Sequence, residues 1–65
     1  KSNVKFCRSI YAVKDIKKGE RLTTVNVKRI RPGYGLEPRY YEKILSTTAR
    51  LNIVRGTPIS FNLVE

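Results

Sequence analysis

Ala12-Val13-Lys14-Asp15-Ile16-Lys17-Lys18-Gly19-Glu20-Arg21-Leu22 is the first copy of a motif that occurs twice in this chain. The second copy reads Ala49-Arg50-Leu51-Asn52-Ile53-Val54-Arg55-Gly56-Thr57-Pro58-Ile59. At aligned positions Ala, Ile and Gly are identical, and the pairs Asp/Asn, Lys/Arg and Leu/Ile are near matches. The repeat predicts two similar halves that share a pseudo-symmetric core, with Ile16, Leu22, Ile53 and Ile59 as its candidate members.

The segment between the copies contains the run Arg31-Pro32-Gly33-Tyr34-Gly35. Two glycines and two prolines between positions 32 and 38 predict a shaped loop, and Pro32 favours an extended backbone at Arg31. Residues that are unique to the segment between matched halves are where a function can reside, so Arg31 is the residue to explain. On the residues alone, the favoured interpretation is a solvated arginine or one paired with Glu37.

The composition excludes several classes of enzyme. The chain has 65 residues, with 14 Lys and Arg, 5 Asp and Glu, no His and one Cys. A single domain of this size buries only about 60% of the surface that its unfolded chain exposes, so a deep catalytic pocket is not expected. Without His, and with carboxylates spread along the chain, neither a zinc site nor a Ser-His or Cys-His nucleophile can be assembled. We therefore predict no catalytic residue and no metal site in this chain.

The formal net charge of +9 leaves a different class of function open. A stand-alone basic module that binds nucleic acid or carbohydrate is compatible with this charge. The basic residues are spread from Lys1 to Arg55 without a long basic run, which favours a solubilising surface and makes nucleic-acid binding unlikely. Lone Cys7 is typical of a reducing cytoplasm, and we expect it at a half-buried strand position. No apolar stretch approaches the ~20 residues of a membrane span, so no membrane partner is expected.

Local patterns predict a mostly β chain. β-branched and aromatic residues indicate a strand at 6–13, and further short strands are predicted at 27–30 and 49–53. Gly19 and Gly56 are expected to adopt positive φ in two equivalent turns. Residues 1–7 are interpreted as a linker stub or frayed N-terminus, and residues 8–64 as the domain.

One short helix is predicted after the loop. Pro38 suits the first helical turn, and Tyr41, Ile44 and Leu45 have the spacing of one buried helical stripe. Tyr40, Tyr41 and Phe61 are interpreted as core or interface residues rather than ligands.

The ordered motifs resemble the C-terminal antifreeze-like (SAF) domain of bacterial sialic acid synthases. The matching segments are Val13–Glu20 with Leu22-Thr23, Arg31–Leu36, Tyr40-Tyr41 with Ile44-Leu45, and Ile53–Ser60. The pattern around Gly35–Tyr41 and Gly56–Ser60 is closer to that of pseudaminic acid synthases than to that of N-acetylneuraminate synthases. The resemblance implies a β-clip fold similar to type III fish antifreeze proteins, mostly β with short helical turns and an internal pseudo-twofold repeat. Ser46 departs from the family, which commonly has Gly after the helix.

The resemblance also implies a function. In this family the SAF domain follows a TIM barrel that condenses phosphoenolpyruvate with an N-acetylated amino sugar and holds a divalent metal, manganese or magnesium. The SAF domain crosses to the partner subunit's barrel in a domain-swapped homodimer and lends it an arginine that contacts the acceptor sugar. Arg31 is the residue that matches this arginine, and Tyr34 at the loop apex is a second candidate contact. No cofactor is implied for the SAF domain itself.

Other roles compatible with the resemblance receive less support. An SAF domain of flagellar or pilus assembly is one alternative. Ice binding is not expected, because Lys14, Lys17, Lys18 and Arg21 would charge the surface concerned, and a shared fold does not transmit function. A synthase of this family would be cytoplasmic and would supply sugars for lipopolysaccharide, capsule or flagellin glycosylation.

Overall fold

The computed structural model describes residues 4–65 of the chain. Strands β1 (Ser9–Ala12) and β2 (Val27–Ile30) pair antiparallel, with Ser9 opposite Ile30 and Ala12 opposite Val27. Short 3-10 turns lie at Val4–Phe6, Pro38–Tyr40 and Phe61–Leu63, and the second runs directly into helix α1 (Tyr41–Ile44). The first three residues of the predicted linker, 1–3, lie outside the described residues.

The structure confirms the strand at 27–30 and shortens the one predicted at 6–13. Residues Val4–Phe6 form a 3-10 turn, and the Cys7 N–H group donates to the Val4 carbonyl at 3.2 Å. Strand β1 therefore begins only at Ser9, after this turn. The predicted strand position of Cys7 is therefore wrong, and its side chain is exposed.

The strand predicted at 49–53 is also wrong. Its two ends pair with different partners, since Ala49 forms a bridge with Val64 whereas Ile53 forms a bridge with Ile16. The residues between them bend, so no continuous ladder forms. Continuous pairing depends on the neighbouring segments and not only on the residues of the segment itself.

The two copies of the motif meet through reciprocal backbone hydrogen bonds. The Ile16 N–H group donates to the Ile53 carbonyl and the Ile53 N–H group donates to the Ile16 carbonyl, each at 2.7 Å. The N–H groups of Gly19 and Gly56 donate to the carbonyls of Ala49 and Ala12 respectively, again at 2.7 Å. The two glycines have φ of 86° and 91°, which confirms the predicted turns.

Side chains reinforce this contact in the same reciprocal way. The Asp15 carboxylate accepts a hydrogen bond from the Arg55 N–H group at 2.7 Å. At the aligned position of the other copy, the Asn52 amide oxygen accepts one from the Lys18 N–H group at 2.8 Å. We call this contact between residues 15–19 and 52–56 the central bridge. A two-fold rotation that relates the whole halves stays a prediction.

The predicted core is confirmed. Ile16, Leu22, Ile53 and Ile59 are no more than 3% exposed. Burying such a side chain stabilises the fold by about 1.5–3 kcal/mol relative to leaving it in water. The strands and α1 complete this core with Ile10, Ala12, Val27, Ile44, Ala49 and Val64.

Helix α1 presents the predicted stripe to the core. Ile44 is fully buried, and Tyr41 and Leu45 pack against the core while remaining half-buried. The helix ends without a left-handed residue, because every described residue with positive φ is a glycine. Instead, the Ser46 N–H and hydroxyl groups both donate to the Lys43 carbonyl, at 3.3 and 2.8 Å. Ser46 therefore satisfies this helix end without the glycine that is common in the family.

Candidate functional site

A buried serine holds the loop that follows β2. Ser9 is 1% exposed, and its hydroxyl donates to the Pro32 carbonyl at 2.9 Å and accepts from the Gly35 N–H group at 3.0 Å. One hydroxyl thus fixes two points of the segment 31–37, here called the 31–37 loop. The Arg31–Pro32 peptide bond within it is cis.

Backbone contacts extend the anchoring to both ends of the loop. The Gly33 N–H group donates to the Val4 carbonyl at 2.9 Å, near the beginning of the loop. Near its end, the Leu36 N–H group donates to the Ile59 carbonyl at 2.9 Å, and the Leu36 carbonyl accepts from Ile10 at 3.0 Å. The 31–37 loop is therefore bound to the 3-10 turn, to β1 and to the second copy of the motif.

Gly35 allows the loop to approach the core closely. A Cβ atom at this position would lie 2.6 Å from the Ile10 carbonyl oxygen and 3.1 Å from the backbone nitrogen and oxygen of Ile59. Backbone atoms of two packed segments cannot yield as a flexible side chain would. The position therefore requires glycine for steric reasons.

Arg31 lies at the exposed beginning of this loop. Its Nε–H group donates to the Phe6 carbonyl at 3.0 Å. A guanidinium has five N–H donors, so four remain on the two terminal nitrogens. Within residues 4–65 no hydrogen bond or ion pair engages those terminal nitrogens. Arg31 is thus held through its Nε–H group, and its two terminal amino groups have no partner among residues 4–65.

The alternative pairing of Arg31 with Glu37 does not occur. Glu37 instead pairs with Arg39, whose Nε lies 2.8 Å from a carboxylate oxygen, and both side chains are largely exposed. Arg31 therefore retains an uncompensated charge. Tyr34, the second candidate residue, is 68% exposed at the loop apex, where its ring is accessible to a ligand or a partner surface.

The other aromatic residues occupy structural positions. Tyr40 and Tyr41 pack against the core, and the Tyr41 hydroxyl donates to the Val27 carbonyl at 2.8 Å. Phe61 meets Tyr40 edge-to-face, with ring centroids 5.3 Å apart. Tyr40 and Tyr41 therefore belong to the periphery of the core, whereas Phe61 remains 46% exposed.

Two open grooves flank the anchored loop. One, of about 370 Å³, is lined by Gly33, Gly35 and Glu37 from the loop and by Cys7. The other, of about 700 Å³, lies between β2 and the start of the helical segment and includes Lys28 and Arg29. Arg8 and Pro38 line both grooves, whereas Arg31 and Tyr34 line neither.

Two further observations limit the chemistry of the described residues. Residues 4–65 contain no group of three or more His, Cys, Asp or Glu side chains that could hold a metal ion. No helix within that range is long and apolar enough to cross a membrane.

Comparison with known proteins identifies the family to which this chain belongs. The sequence matches the SAF domain over residues 8–65, which is most of the chain. The chain belongs to the SAF domain family. The resemblance drawn from the motifs is thereby confirmed, and the short strands and turns described above are the mostly β architecture of this SAF domain.

The curated relatives that this chain matches are named pseudaminic acid synthase. The chain is 43% identical over 60 residues to a pseudaminic acid synthase of Helicobacter pylori (strain ATCC 700392 / 26695), covering 92% of this chain and 18% of that protein. It is 49% identical over 51 residues to a pseudaminic acid synthase of Campylobacter jejuni subsp. jejuni serotype O:2, covering 78% of this chain and 15% of that protein. This SAF domain therefore spans less than a fifth of the relatives that it matches.

The sequence did not identify two residues that shape the site. Ser9 is a single serine in an apolar strand, and only the packing of the loop over β1 reveals its two hydrogen bonds. Arg8 lies within a charge distribution that is dispersed along the sequence, yet it lines both grooves. The pairing of residues 9–12 with 27–30 brings Arg8 near Lys28 and Arg29.

Proposed function

We propose that this SAF domain is the accessory substrate-binding domain of a sialic acid synthase family protein, and specifically of a pseudaminic acid synthase. The full protein would condense phosphoenolpyruvate with an N-acetylated amino sugar. Arg31 would reach the active site of the partner subunit and bind the acceptor sugar. The finer choice of synthase is supported by the names of the relatives at 43% and 49% identity.

The observation that carries this proposal is the state of Arg31. Its Nε–H group donates to the Phe6 carbonyl, and no hydrogen bond or ion pair within residues 4–65 engages its remaining donors. A planar guanidinium that is held at one edge loses less conformational entropy when it binds hydroxyl or carbonyl oxygens of a sugar. The anchored 31–37 loop supports the same role, because it fixes where the arginine emerges.

The chemistry itself is assigned to a barrel domain outside this chain. The described residues offer no cluster of metal-binding side chains, and we propose no metal-dependent step for them. The divalent ion, manganese or magnesium, and the phosphoenolpyruvate would be held by that barrel. What this chain contributes is an oriented cation, with Tyr34 available beside it for stacking on the sugar or packing on the partner barrel.

Substitution of Arg31 in the full-length protein tests the proposal. A hydrogen bond from a charged donor contributes about 1.5–3 kcal/mol, so Arg31→Ala should reduce kcat/KM for the acceptor sugar by about ten- to a hundredfold. The apparent affinity for phosphoenolpyruvate should change far less. Arg31→Lys should recover only part of the loss, because an ammonium lacks the planar pair of donors. Arg50→Ala, which removes an exposed arginine from another surface, is the matched control.

Mixed dimers test whether the arginine acts on the partner subunit. One subunit would carry Arg31→Ala and the other an inactivated barrel. Subunit exchange should restore one competent site, which combines an intact barrel with Arg31 from its neighbour. Verified mixed dimers without recovered activity would show that Arg31 does not act between subunits.

A further inference from the structure

The larger groove is lined by three basic residues. Arg8 precedes β1, and Lys28 and Arg29 lie on β2, yet all three line the same space of about 700 Å³. Thr24 adds a hydroxyl to this lining, and no carboxylate contributes to it. We call this space the basic groove. Its composition differs from that of the smaller groove, which includes Glu37.

One of these cations is positioned by an aromatic ring. The guanidinium carbon of Arg29 lies 4.6 Å from the ring centroid of Tyr41. The ring is fixed in turn, because the Tyr41 hydroxyl donates to the Val27 carbonyl at 2.8 Å. A guanidinium attracted to a ring face keeps its N–H groups available for an anion. Arg29 is thus preorganised while its charge remains uncompensated.

The other two cations are also without an acidic partner. Arg39 pairs with Glu37, and neither Arg8 nor Lys28 forms an ion pair with a carboxylate among residues 4–65. Like charges that line one groove repel each other, and a multivalent anion between them would replace this repulsion with attraction. The groove therefore favours a ligand with more than one negative charge.

We propose that the basic groove binds the phosphate group of a small phosphate monoester. Such a group carries about −1.5 to −2 charges near neutral pH and three acceptor oxygens, whereas a carboxylate carries one charge. Arginine pairs with phosphate through two parallel hydrogen bonds, and lysine adds a point charge. The volume of about 700 Å³ leaves room for the organic part of the ligand beside Pro38.

This site is distinct from the sugar-binding role proposed for Arg31. Arg31 does not line the basic groove, and the two proposals involve different side chains. The phosphate site therefore stands or fails independently of the synthase assignment.

Titration of the 15N-labelled chain with inorganic phosphate and with glycerol 3-phosphate tests the proposal. Sodium chloride holds the ionic strength constant, and glycerol serves as the uncharged control. Backbone amide shifts should change at Thr24, Lys28, Arg29 and Tyr41, with saturation at roughly millimolar ligand because the site is exposed and screened. Glycerol should produce no saturable change at these amides.

A matched pair of triple variants separates a site from general charge. Arg8→Gln, Lys28→Gln and Arg29→Gln together should weaken glycerol 3-phosphate binding by about tenfold or more. Lys14→Gln, Lys17→Gln and Lys18→Gln together remove the same charge from exposed positions outside the groove and should weaken it by about twofold or less. The single variant Lys28→Gln, at an exposed position, should weaken binding severalfold. It tests the site even if the triple variant does not fold.

Three results would overturn the proposal. Equal weakening by both triple variants would identify unspecific attraction, and saturation by neither phosphate ligand would exclude the site. A short DNA duplex that binds through the same residues, and more tightly than glycerol 3-phosphate at equal phosphate concentration, would identify a nucleic-acid surface instead.

Discussion

The central bridge and the 31–37 loop are held by different kinds of interaction. In the central bridge, Ile16 and Ile53 exchange two backbone hydrogen bonds of 2.7 Å, and their side chains are buried beneath. The loop forms no such reciprocal pair. It is held by the two hydrogen bonds of the Ser9 hydroxyl, by single backbone hydrogen bonds to Val4, Ile10 and Ile59, and by the close approach that Gly35 permits.

This difference predicts different consequences for substitutions in the two regions. The central bridge contains matching hydrogen bonds in both directions, because each copy of the motif donates to the other and accepts from it. The 31–37 loop has no second copy, and its anchors come from three separate segments of the chain. A change in the bridge should therefore affect the whole fold, whereas a change in the loop anchor should act first on the position of Arg31.

The largest effect is expected from truncation at the centre of the bridge. Ile16→Ala should lower the free energy of unfolding by about 2–5 kcal/mol, since it removes a side chain that is 1% exposed. A domain of this size rarely has more than about 3–5 kcal/mol of stability, so much of the chain should unfold. Urea denaturation and the dispersion of amide NMR signals measure this. Val54→Ala, at a position 65% exposed, should change the stability by less than about 0.5 kcal/mol.

A smaller and more local effect is expected at the loop anchor. Ser9→Ala removes a buried hydroxyl that bonds to both Pro32 and Gly35, and should cost about 1–3 kcal/mol. Amide hydrogen exchange at Gly35 should accelerate more than exchange at Ile16. Ser46→Ala, which removes an exposed hydroxyl bond, is the control. Equal acceleration at Gly35 and Ile16 would contradict the separation of the loop from the bridge.

The smallest effect is expected from removing the side-chain acceptors of the central bridge, and it tests whether the two copies of the motif contribute equally. Asp15→Ala and Asn52→Ala each remove an exposed side-chain acceptor from a turn of the other copy. Each should cost about 0.5–1 kcal/mol in denaturation, and the two losses should agree within a few tenths. Asp15→Asn keeps the acceptor oxygen and should recover most of the loss. Clearly unequal losses would show that the two copies are not equivalent.

The motif copies carried most of what could be predicted about the fold. Ile16, Leu22, Ile53 and Ile59 were identified as core residues because apolar positions recurred at matched places, and all four are buried. The turns at Gly19 and Gly56 followed from local sequence because a positive φ strongly favours glycine. The strand predicted at 49–53 failed because pairing partners are not encoded in a strand's own composition.

The candidate site was only partly visible in the sequence. The 31–37 loop and Arg31 were found from their glycines, prolines and unique position, together with the family motifs. Ser9 was missed because a lone serine carries no periodic signal, and its role depends on a loop more than twenty positions away. The basic groove was missed because Arg8, Lys28 and Arg29 look dispersed until antiparallel pairing brings β1 beside β2.

The sequence by itself determined the family, the repeated turns, the core residues and the position of Arg31, because each depends on short-range pattern or on matched motifs. Only the tertiary structure decided which edge of the Arg31 guanidinium forms a hydrogen bond, which carboxylate pairs with which arginine, and that Arg8 lines the same groove as Lys28 and Arg29. The physical reason is that hydrogen bonds and ion pairs form between groups that the folded backbone brings within a few ångströms, and local sequence does not specify that proximity.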